Sequence, residues 1–229
     1  MVKPDNDEII LFLGNCQIGV ISKYCSFYLK KKIEYLNIVL DLTNHSEKVD
    51  DLIKNANIIV RQNFYNEHFY YNNNKINELK NKNSYVLSVH GIYYDGYFPY
   101  INIKEYDNLE NKQQKMDLII ENSNKSLENL FNRENGINDF NKIDIPIYEF
   151  IKNNYKKRRL LLRENHPTNY VMNYYAYLIY ERIIHDKNYF DQTKSLYNEK
   201  FDNSIEELND KKTYLLIDEI TKESLNIEW

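Results

Sequence analysis

The feature that most constrains this chain is an apolar run, residues 9–13, that ends at Gly14-Asn15-Cys16-Gln17. A continuous apolar run bounded by turn residues is typical of a buried strand. Gly14 allows the backbone to turn tightly and allows a ligand to approach it closely. Since an apolar-periodic segment begins directly after the turn, the sequence predicts a strand, a sharp turn and the start of a helix.

Cys16 is therefore expected at the carboxyl end of a strand and near the N-terminus of a helix. The field of a helix N-terminus favours the thiolate over the thiol, so a cysteine placed there can be a stronger nucleophile than a free one. The side-chain amides of Asn15 and Gln17 can hold a carbonyl oxygen or an oxyanion. The alternative is that Cys16 only packs, because free cysteine is among the most buried residue types. Cys25, inside the predicted helix, is interpreted as such a core residue.

The length of 229 residues is enough for a domain with a proper hydrophobic core. We expect a single α/β domain over 1–229, with 186–229 as a possible helical or irregular C-terminal extension. The net charge of −4 argues against a nucleic-acid partner. Two cysteines do not form a disulfide framework, the N-terminus lacks the apolar core of a signal peptide, and no apolar run reaches membrane-spanning length. The sequence therefore predicts a cytoplasmic protein without a membrane span, and it leaves the oligomeric state open.

Strand-like and helix-like segments alternate over the first 90 residues. This alternation predicts an α/β fold with a mostly parallel, doubly wound sheet and a helical C-terminal part. The predicted strands are 9–13, 35–42, 56–60 and 85–89, with a late edge strand at 213–217. The predicted helices are 17–32, 46–55, one or two helices within 112–133, 144–155 with Asp144 as its cap, and a long helix from Pro167 to about 184.

Polar residues follow three of the predicted strands at their carboxyl ends. Ligands bind beyond these ends in doubly wound sheets, so we expect the polar residues to converge on one site. They are Asn15, Cys16, Gln17, Arg61, Gln62 and His90. The segment 91–99 continues from there as a loop that contains Gly96 and Tyr97. Two interpretations of this loop remain, a substrate-lining segment and an ordinary turn packed by aromatic rings.

A second informative stretch is the apolar run 160–162, which is soon followed by Asn165-His166-Pro167. Proline is favoured at the first position of a helix, where its missing N–H is not needed. This placement leaves His166 in an exposed loop just before the helix, where an imidazole can face a cleft. The alternative is an ordinary surface histidine.

The order of these two segments resembles the arrangement in SGNH hydrolases, whose first block carries a serine nucleophile and whose last block carries Asp-x-x-His. The chain departs from that pattern twice, because Cys16 replaces the serine and Arg163 stands where the aspartate would be. A closer resemblance is to the WcbI-like family of proposed acetyltransferases in polysaccharide biosynthesis. It covers roughly residues 8–185. It is carried by Gly14-Asn15-Cys16-Gln17, by Gln62 after the third strand, by 96–99 and by Asn165-His166-Pro167.

The WcbI-like resemblance implies that coenzyme A or acetyl-CoA is bound as acyl donor, and that the acyl group passes to a sugar of a surface or capsular polysaccharide. In the mechanism that we expect, His166 takes the proton of Cys16 or stabilises its thiolate as an ion pair, and the thiolate attacks the thioester. The alternative is direct transfer to the sugar without an acyl-enzyme, with His166 acting only as base. The backbone N–H of Cys16, with Asn15 or Gln62, is the expected oxyanion hole. Arg61, Arg163 and the basic segments 30–32 and 156–159 are the candidates for binding the phosphates of coenzyme A. The further residues expected to bind substrate are Gly14, Gln17, His90, Gly96, Tyr97 and Asn165.

Two other functions stay open on the sequence. One is an SGNH-like cysteine esterase or deacetylase. The other is a non-catalytic module that binds coenzyme A or a nucleotide, in which Cys16 only packs. A metal enzyme is disfavoured because no His-x-x-His, Cys-x-x-Cys or clustered carboxylate motif occurs. A Rossmann cofactor is disfavoured because Gly14 and Gly19 do not have the Gly-x-Gly-x-x-Gly spacing.

Overall fold

The computed structural model of the protein describes residues 8–37, 41, 43–63, 69–103, 106–137, 142–187 and 217–229. Among these residues the backbone contacts form two compact units. The first unit holds the described residues of 1–91, 142–145 and 172–202, and the second holds those of 92–141, 146–171 and 203–229. The expectation of a single domain with a C-terminal extension stays a prediction. Residues 188–216, which include most of the predicted edge strand, lie outside the described residues.

The first unit is built on a parallel sheet. Its four strands are β1 Ile10–Gly14, β2 Ile33–Asn37, β3 Ile58–Gln62 and β4 Tyr85–Val89, in the order β2-β1-β3-β4. β1 lies between β2 and β3, and its side chains are buried on both faces of the sheet, which explains its continuous apolar run. This architecture confirms the predicted α/β fold with a mostly parallel, doubly wound sheet. The second strand begins earlier than predicted, and 38–40 and 42 lie outside the described residues.

Helices connect the strands of this sheet. They are α1 Cys16–Leu29, α2 Glu47–Asn55 and α3 Asn73–Leu79. Successive side chains of β1 point to opposite faces of the sheet. On one face, Leu11 and Leu13 join a buried apolar cluster with Val49 and Ile53 of α2. The amphipathic face of a short helix is thus what covers this side of the central strand.

The second unit is mainly helical. It holds α4 Pro99–Asn102, α5 Lys112–Asn135, α6 Tyr148–Asn154 and an antiparallel hairpin of β5 Leu161–Arg163 and β6 His166–Pro167. Helix α7, Asn169–Lys187, starts in this unit and belongs to the first unit from Met172 onward, and α8 is Glu219–Leu225. In the part of the chain that the structure describes, no helix combines the length and the apolar character needed to cross a membrane.

Helix α6 begins at Tyr148, so the prediction of a helix capped by Asp144 is wrong. The N–H groups of Ile147 and Tyr148 donate instead to the carboxylate of Glu134 on α5, at 2.6 and 2.9 Å. Asp144 has a different partner, because its Oδ2 accepts a hydrogen bond from the backbone N–H of Ser88 at 2.6 Å. A carboxylate from another helix therefore replaces the local cap, which the local pattern does not indicate.

His166 lies in β6, and the prediction of a loop at this position is wrong. Leu161 pairs with Pro167 and Arg163 pairs with His166 across the hairpin. Helix α7 starts at Asn169, so Pro167 is not its first residue as predicted. The apolar run before the turn becomes a strand because the chain folds back on it. A sequence pattern that marks the start of a helix does not indicate that 166–167 pairs with 161–163.

Candidate functional site

The carboxyl ends of β1 and β3 lie side by side where the strand order reverses. From β1 the chain passes to β2 on one side, and it then returns to β3 on the other side of β1. Ligands bind in crevices of this kind in open parallel sheets. Two sets of the predicted polar residues therefore meet at this point. They are Asn15-Cys16-Gln17 after β1 and Gln62 at the end of β3.

Nearly every polar group of Asn15 is engaged by a neighbour. Its backbone N–H donates to Oε1 of Gln62 at 3.0 Å, and its Oδ1 accepts from the N–H of Gln17 at 3.0 Å, which caps α1. Its carbonyl accepts from the hydroxyl of Tyr35 at 2.8 Å and from the N–H of Gly19 at 3.2 Å. Within the described residues, only the Nδ2 donors of Asn15 lack a hydrogen-bond partner. The side chain is thus held in one orientation with these donors available to a ligand.

Cys16 is the first residue of α1, and its side chain is exposed. Its backbone N–H is among the first N–H groups of the helix, which have no acceptor inside the helix, and no described residue accepts it. Cys25 on the same helix is buried, and its thiol donates to the carbonyl of Ala176 at 3.3 Å. Burial raises the pKa of the Cys25 thiol well above its ordinary value. The predicted core role of Cys25 is confirmed.

Gly91 is the place where two side-chain amides approach each other. Oε1 of Gln62 accepts from Asn15, which turns Nε2 of the same amide toward Gly91. A methyl group on Gly91 would stand 2.3 Å from this Nε2 and 3.6 Å from Nδ2 of Asn15. Only a residue without a side chain permits this approach. In the described part of the chain, neither Nε2 of Gln62 nor Nδ2 of Asn15 has a hydrogen-bond partner. The two nitrogens therefore form a pair of donors at the turn that leads to Cys16.

Arg61 and His90 are less accessible to a ligand than their predicted binding roles require. Arg61 precedes Gln62 on β3 and so points to the other face of the sheet, where its Nη1 donates to Oδ1 of Asn77 at 3.1 Å. His90 is 4 % exposed, and its backbone N–H donates to the hydroxyl of Tyr175 at 3.2 Å. The binding roles of Arg61 and His90 stay predictions.

In the second unit, the tautomer of His166 follows from its neighbour. Its Nδ1 lies 2.5 Å from Oδ1 of Asn165. An amide oxygen only accepts, so in the neutral imidazole Nδ1 carries the proton and Nε2 is the acceptor. Glu164 makes a different contact, since its carboxylate lies 3.8 Å from Nε of Arg163. Among the residues described in both units, no group of three or more His, Cys, Asp or Glu side chains is placed to hold a metal ion.

Gly96 and Tyr97 belong to an aromatic cluster of the second unit. Tyr97 is fully buried, and its hydroxyl donates to the carbonyl of Tyr155 at 2.5 Å. Its ring lies edge-on to Tyr94 and Trp229, with ring centroids 5.1 and 5.7 Å away. A methyl group on Gly96 would stand 2.3 Å from the hydroxyl of Tyr94. Of the two interpretations of this loop, these contacts favour the packed turn.

No family model and no curated protein sequence matches the chain. A solved structure does resemble it, that of WcbI, described as a polysaccharide biosynthesis enzyme in its native form without a disulfide bond between coenzyme A and one of its cysteines. The TM-score is 0.60, the sequence identity is 17 %, and the likeness covers 77 % of this chain and 69 % of that chain. The chain has a WcbI-like fold. At this identity the likeness concerns the fold alone, and an SGNH-like relationship stays a prediction.

Tyr35 and Gly91 contact the turn or the amide pair as well, although neither is among the residues predicted to bind substrate. Tyr35 is one of 22 tyrosines, and within an apolar strand it carries no distinguishing signal. Gly91 did offer a signal, because it follows a predicted strand and the polar His90 at a sheet edge where ligands are expected.

Proposed function

We propose that this protein is an acyl-CoA-dependent acyltransferase, with acetyl as the simplest acyl group, that acts on a sugar of a surface or capsular polysaccharide. The observation that carries the proposal is the exposed thiol of Cys16 at the positive end of α1, beside the amide donors of Asn15 and Gln62. The neighbour WcbI supports it, since that protein is described as a polysaccharide biosynthesis enzyme and coenzyme A is named together with one of its cysteines.

Acetyl-CoA acts as a substrate in this reaction. The thiolate of Cys16 attacks the thioester carbonyl, a C–S bond to Cys16 forms, the C–S bond to coenzyme A breaks, and the departing thiolate takes up a proton. Exchange of one thioester for another is nearly level in free energy, so a cysteine nucleophile suits acyl transfer. The sugar hydroxyl then attacks the acyl-cysteine, its proton passes to a base, and the thiolate of Cys16 is released.

The N–H donors around Cys16 suit the negative charge that develops on the acyl oxygen. They are the backbone N–H of Cys16, Nδ2 of Asn15 and Nε2 of Gln62, and none of them has a partner among the described residues. Donors that are oriented before the reaction stabilise an oxyanion without reorganisation, and removal of one typically lowers the rate about 100- to 1000-fold. The bonds that hold Asn15 at its N–H, its carbonyl and its Oδ1 fit this requirement.

On the basis of the sequence, we assign the role of general base to His166. In the neutral imidazole, the contact with Asn165 places the proton on Nδ1 and leaves Nε2 as the acceptor, the arrangement that a general base needs. Arg163 is the better of the two predicted arginines for the phosphates of coenzyme A. Its side chain is 42 % exposed, whereas the guanidinium of Arg61 already donates to Asn77.

The direct test is an assay of acetyl transfer from acetyl-CoA to sugar acceptors, in which the release of the free coenzyme A thiol is measured. Cys16→Ala and His166→Ala should each abolish transfer and change the unfolding free energy by no more than about 0.5 kcal/mol, as is usual for accessible positions. Cys25→Ala is the matched control, since it removes the other thiol of α1 and should keep transfer. An acetyl adduct in the intact mass of the wild type, absent in Cys16→Ala, locates the nucleophile. Full activity in both site variants would refute the proposal.

Further assays distinguish acyl transfer from the two alternative functions. Hydrolysis of p-nitrophenyl acetate without coenzyme A would indicate a cysteine esterase. Binding of coenzyme A by a protein whose Cys16 does not react with iodoacetamide would indicate a non-catalytic module. Binding is measured by thermal shift with coenzyme A, acetyl-CoA and nucleotide sugars, because a ligand held only by the native state raises the melting temperature.

A further inference from the structure

Tyr35 of β2 contacts the turn that carries Cys16. It lies opposite Phe12 in the parallel pairing of β1 and β2, and its side chain reaches the end of β1. The hydroxyl donates to the carbonyl of Asn15 at 2.8 Å and lies 3.3 Å from the carbonyl of Gly14. One side chain from the neighbouring strand therefore contacts both carbonyl groups that lead into Cys16.

The hydroxyl of Tyr35 is oriented by its surroundings. A methyl group on Gly19 would stand 2.8 Å from Cε1 of the ring, so the ring lies directly against the backbone of α1. Nδ2 of Asn37 donates to the hydroxyl oxygen at 2.9 Å, and the backbone N–H of Asn37 in turn donates to Oδ2 of Asp41 at 2.7 Å. Because Asn37 donates into the oxygen, the hydroxyl proton points toward the carbonyls of the turn.

The carbonyl that Tyr35 binds belongs to the same peptide unit as the N–H of Cys16. A trans peptide unit is planar, and its C=O and N–H point in opposite directions. Holding the carbonyl oxygen of Asn15 therefore also holds the direction of the Cys16 N–H. A hydrogen bond to the carbonyl also polarises the amide, which makes the N–H a stronger donor.

We propose that Tyr35 is a positioning residue of the acyltransferase site, whose hydroxyl orients and polarises the peptide between Asn15 and Cys16 so that the N–H of Cys16 donates to the acyl oxygen. This inference rests on the proposed function. Tyr35 acts through the backbone of Asn15, and Asn37 sets the direction of its proton.

Two conservative variants test this role without opening a cavity. Tyr35→Phe removes the hydroxyl and keeps the ring against Gly19. Asn37→Asp keeps the shape of the side chain but replaces the donor by an acceptor, so the hydroxyl proton of Tyr35 turns to the carboxylate and away from Asn15. The matched control is Tyr85→Phe, which removes a hydroxyl that donates to Asp186 at the amino-terminal end of the same sheet.

In Tyr35→Phe and Asn37→Asp we expect kcat to fall about 10-fold, less than the loss of a whole oxyanion donor, because the N–H of Cys16 is weakened and not removed. KM for acetyl-CoA should stay unchanged. The backbone amide proton of Cys16 should move upfield in the ¹H–¹⁵N spectrum of both variants, because its peptide loses the bond to the carbonyl. Tyr85→Phe should show wild-type kcat and a wild-type Cys16 resonance.

Wild-type kcat in Tyr35→Phe, or an unmoved Cys16 amide resonance, would overturn the role of Tyr35 while acyl transfer by the wild type leaves the proposed function standing. An equal fall of kcat in Tyr85→Phe would also overturn it. If the wild type transfers no acyl group, the proposed function fails. The Cys16 resonance then decides by itself whether Tyr35 positions the peptide.

Discussion

The side-chain amide of Gln62 accepts a hydrogen bond from the backbone N–H of Asn15 at 3.0 Å and so joins the end of β3 to the turn after β1. This contact decides which way the amide points, because its oxygen faces Asn15 and its nitrogen faces Gly91. A substitution that keeps the oxygen and removes the nitrogen therefore separates a structural role of Gln62 from a chemical one.

Gln62→Glu is that substitution. It retains an oxygen that accepts from Asn15, and it loses the N–H donors. We expect the rate of acyl transfer to fall about 100-fold or more, because an oxyanion donor is lost and a carboxylate repels the developing charge. The matched control is Asn57→Asp, whose side-chain oxygen accepts from the N–H of Ile9 at 2.8 Å at the other end of the same strands, and which should keep full activity. A wild-type kcat in Gln62→Glu would exclude Gln62 from the oxyanion hole.

Gly91→Ala should displace the amide of Gln62. The added methyl group would stand 2.3 Å from Nε2, so the amide must rotate and its bond to Asn15 breaks. We expect a loss of about 1 kcal/mol in the unfolding free energy, the typical net contribution of a hydrogen bond, together with slower acyl transfer. In a Gln62→Ala background the obstructed atom is absent, so Gly91→Ala should be less destabilising there. Urea unfolding of the double-mutant cycle measures this coupling, and strictly additive effects would contradict the clash.

The two thiols should differ sharply in reactivity. Cys16 is exposed, whereas Cys25 is buried and its pKa is raised, so a thiol reagent should label Cys16 rapidly and Cys25 only after unfolding. Cys16→Ala should abolish the rapid phase of labelling. Cys25→Ala should keep that phase and lose about 1 to 2 kcal/mol of stability. Rapid labelling of Cys16→Ala in its native state would contradict the burial of Cys25.

Glu134 should make stability depend on pH. Burial raises the pKa of its carboxyl to about 7 from 4.5, although the hydrogen bonds from Ile147 and Tyr148 lower it. Because the folded-state pKa is raised, the stability linked to this group is fully present below about pH 4.5 and is lost as the pH rises through about 7. The unfolding free energy should thus fall by an amount on the order of 3 kcal/mol across this interval.

Glu134→Gln keeps an acceptor for the two N–H groups and carries no charge. Its unfolding free energy should therefore fall less than that of the wild type between about pH 5 and about pH 8, as measured by urea unfolding. Glu128→Gln, which removes an exposed carboxyl from the same helix, should follow the wild type. If Glu134→Gln and wild-type profiles ran parallel, the capping carboxylate would not be the source of the pH dependence.

The central part of the sheet could be predicted from local pattern. Residues 9–13 are a continuous apolar run because β1 is covered on both faces, and the same rule located β3 and β4. The start of α1 followed from the glycine and asparagine that end this run. The start of α6 did not follow, because the acceptor of its first N–H groups is Glu134 on another helix and not Asp144 nearby.

The sequence by itself determined the parallel α/β sheet, the turn after its central strand and the place of Cys16 at a helix start, since periodicity and capping chemistry are written in neighbouring residues. Only the tertiary structure decided that Tyr35 and Gly91 join Gln62 around that turn, and that the segment of His166 forms a hairpin strand. The physical reason is that a hydrogen bond between distant residues depends on which strands become neighbours and on the register in which they pair. Neither is encoded in a local pattern of apolar and polar residues.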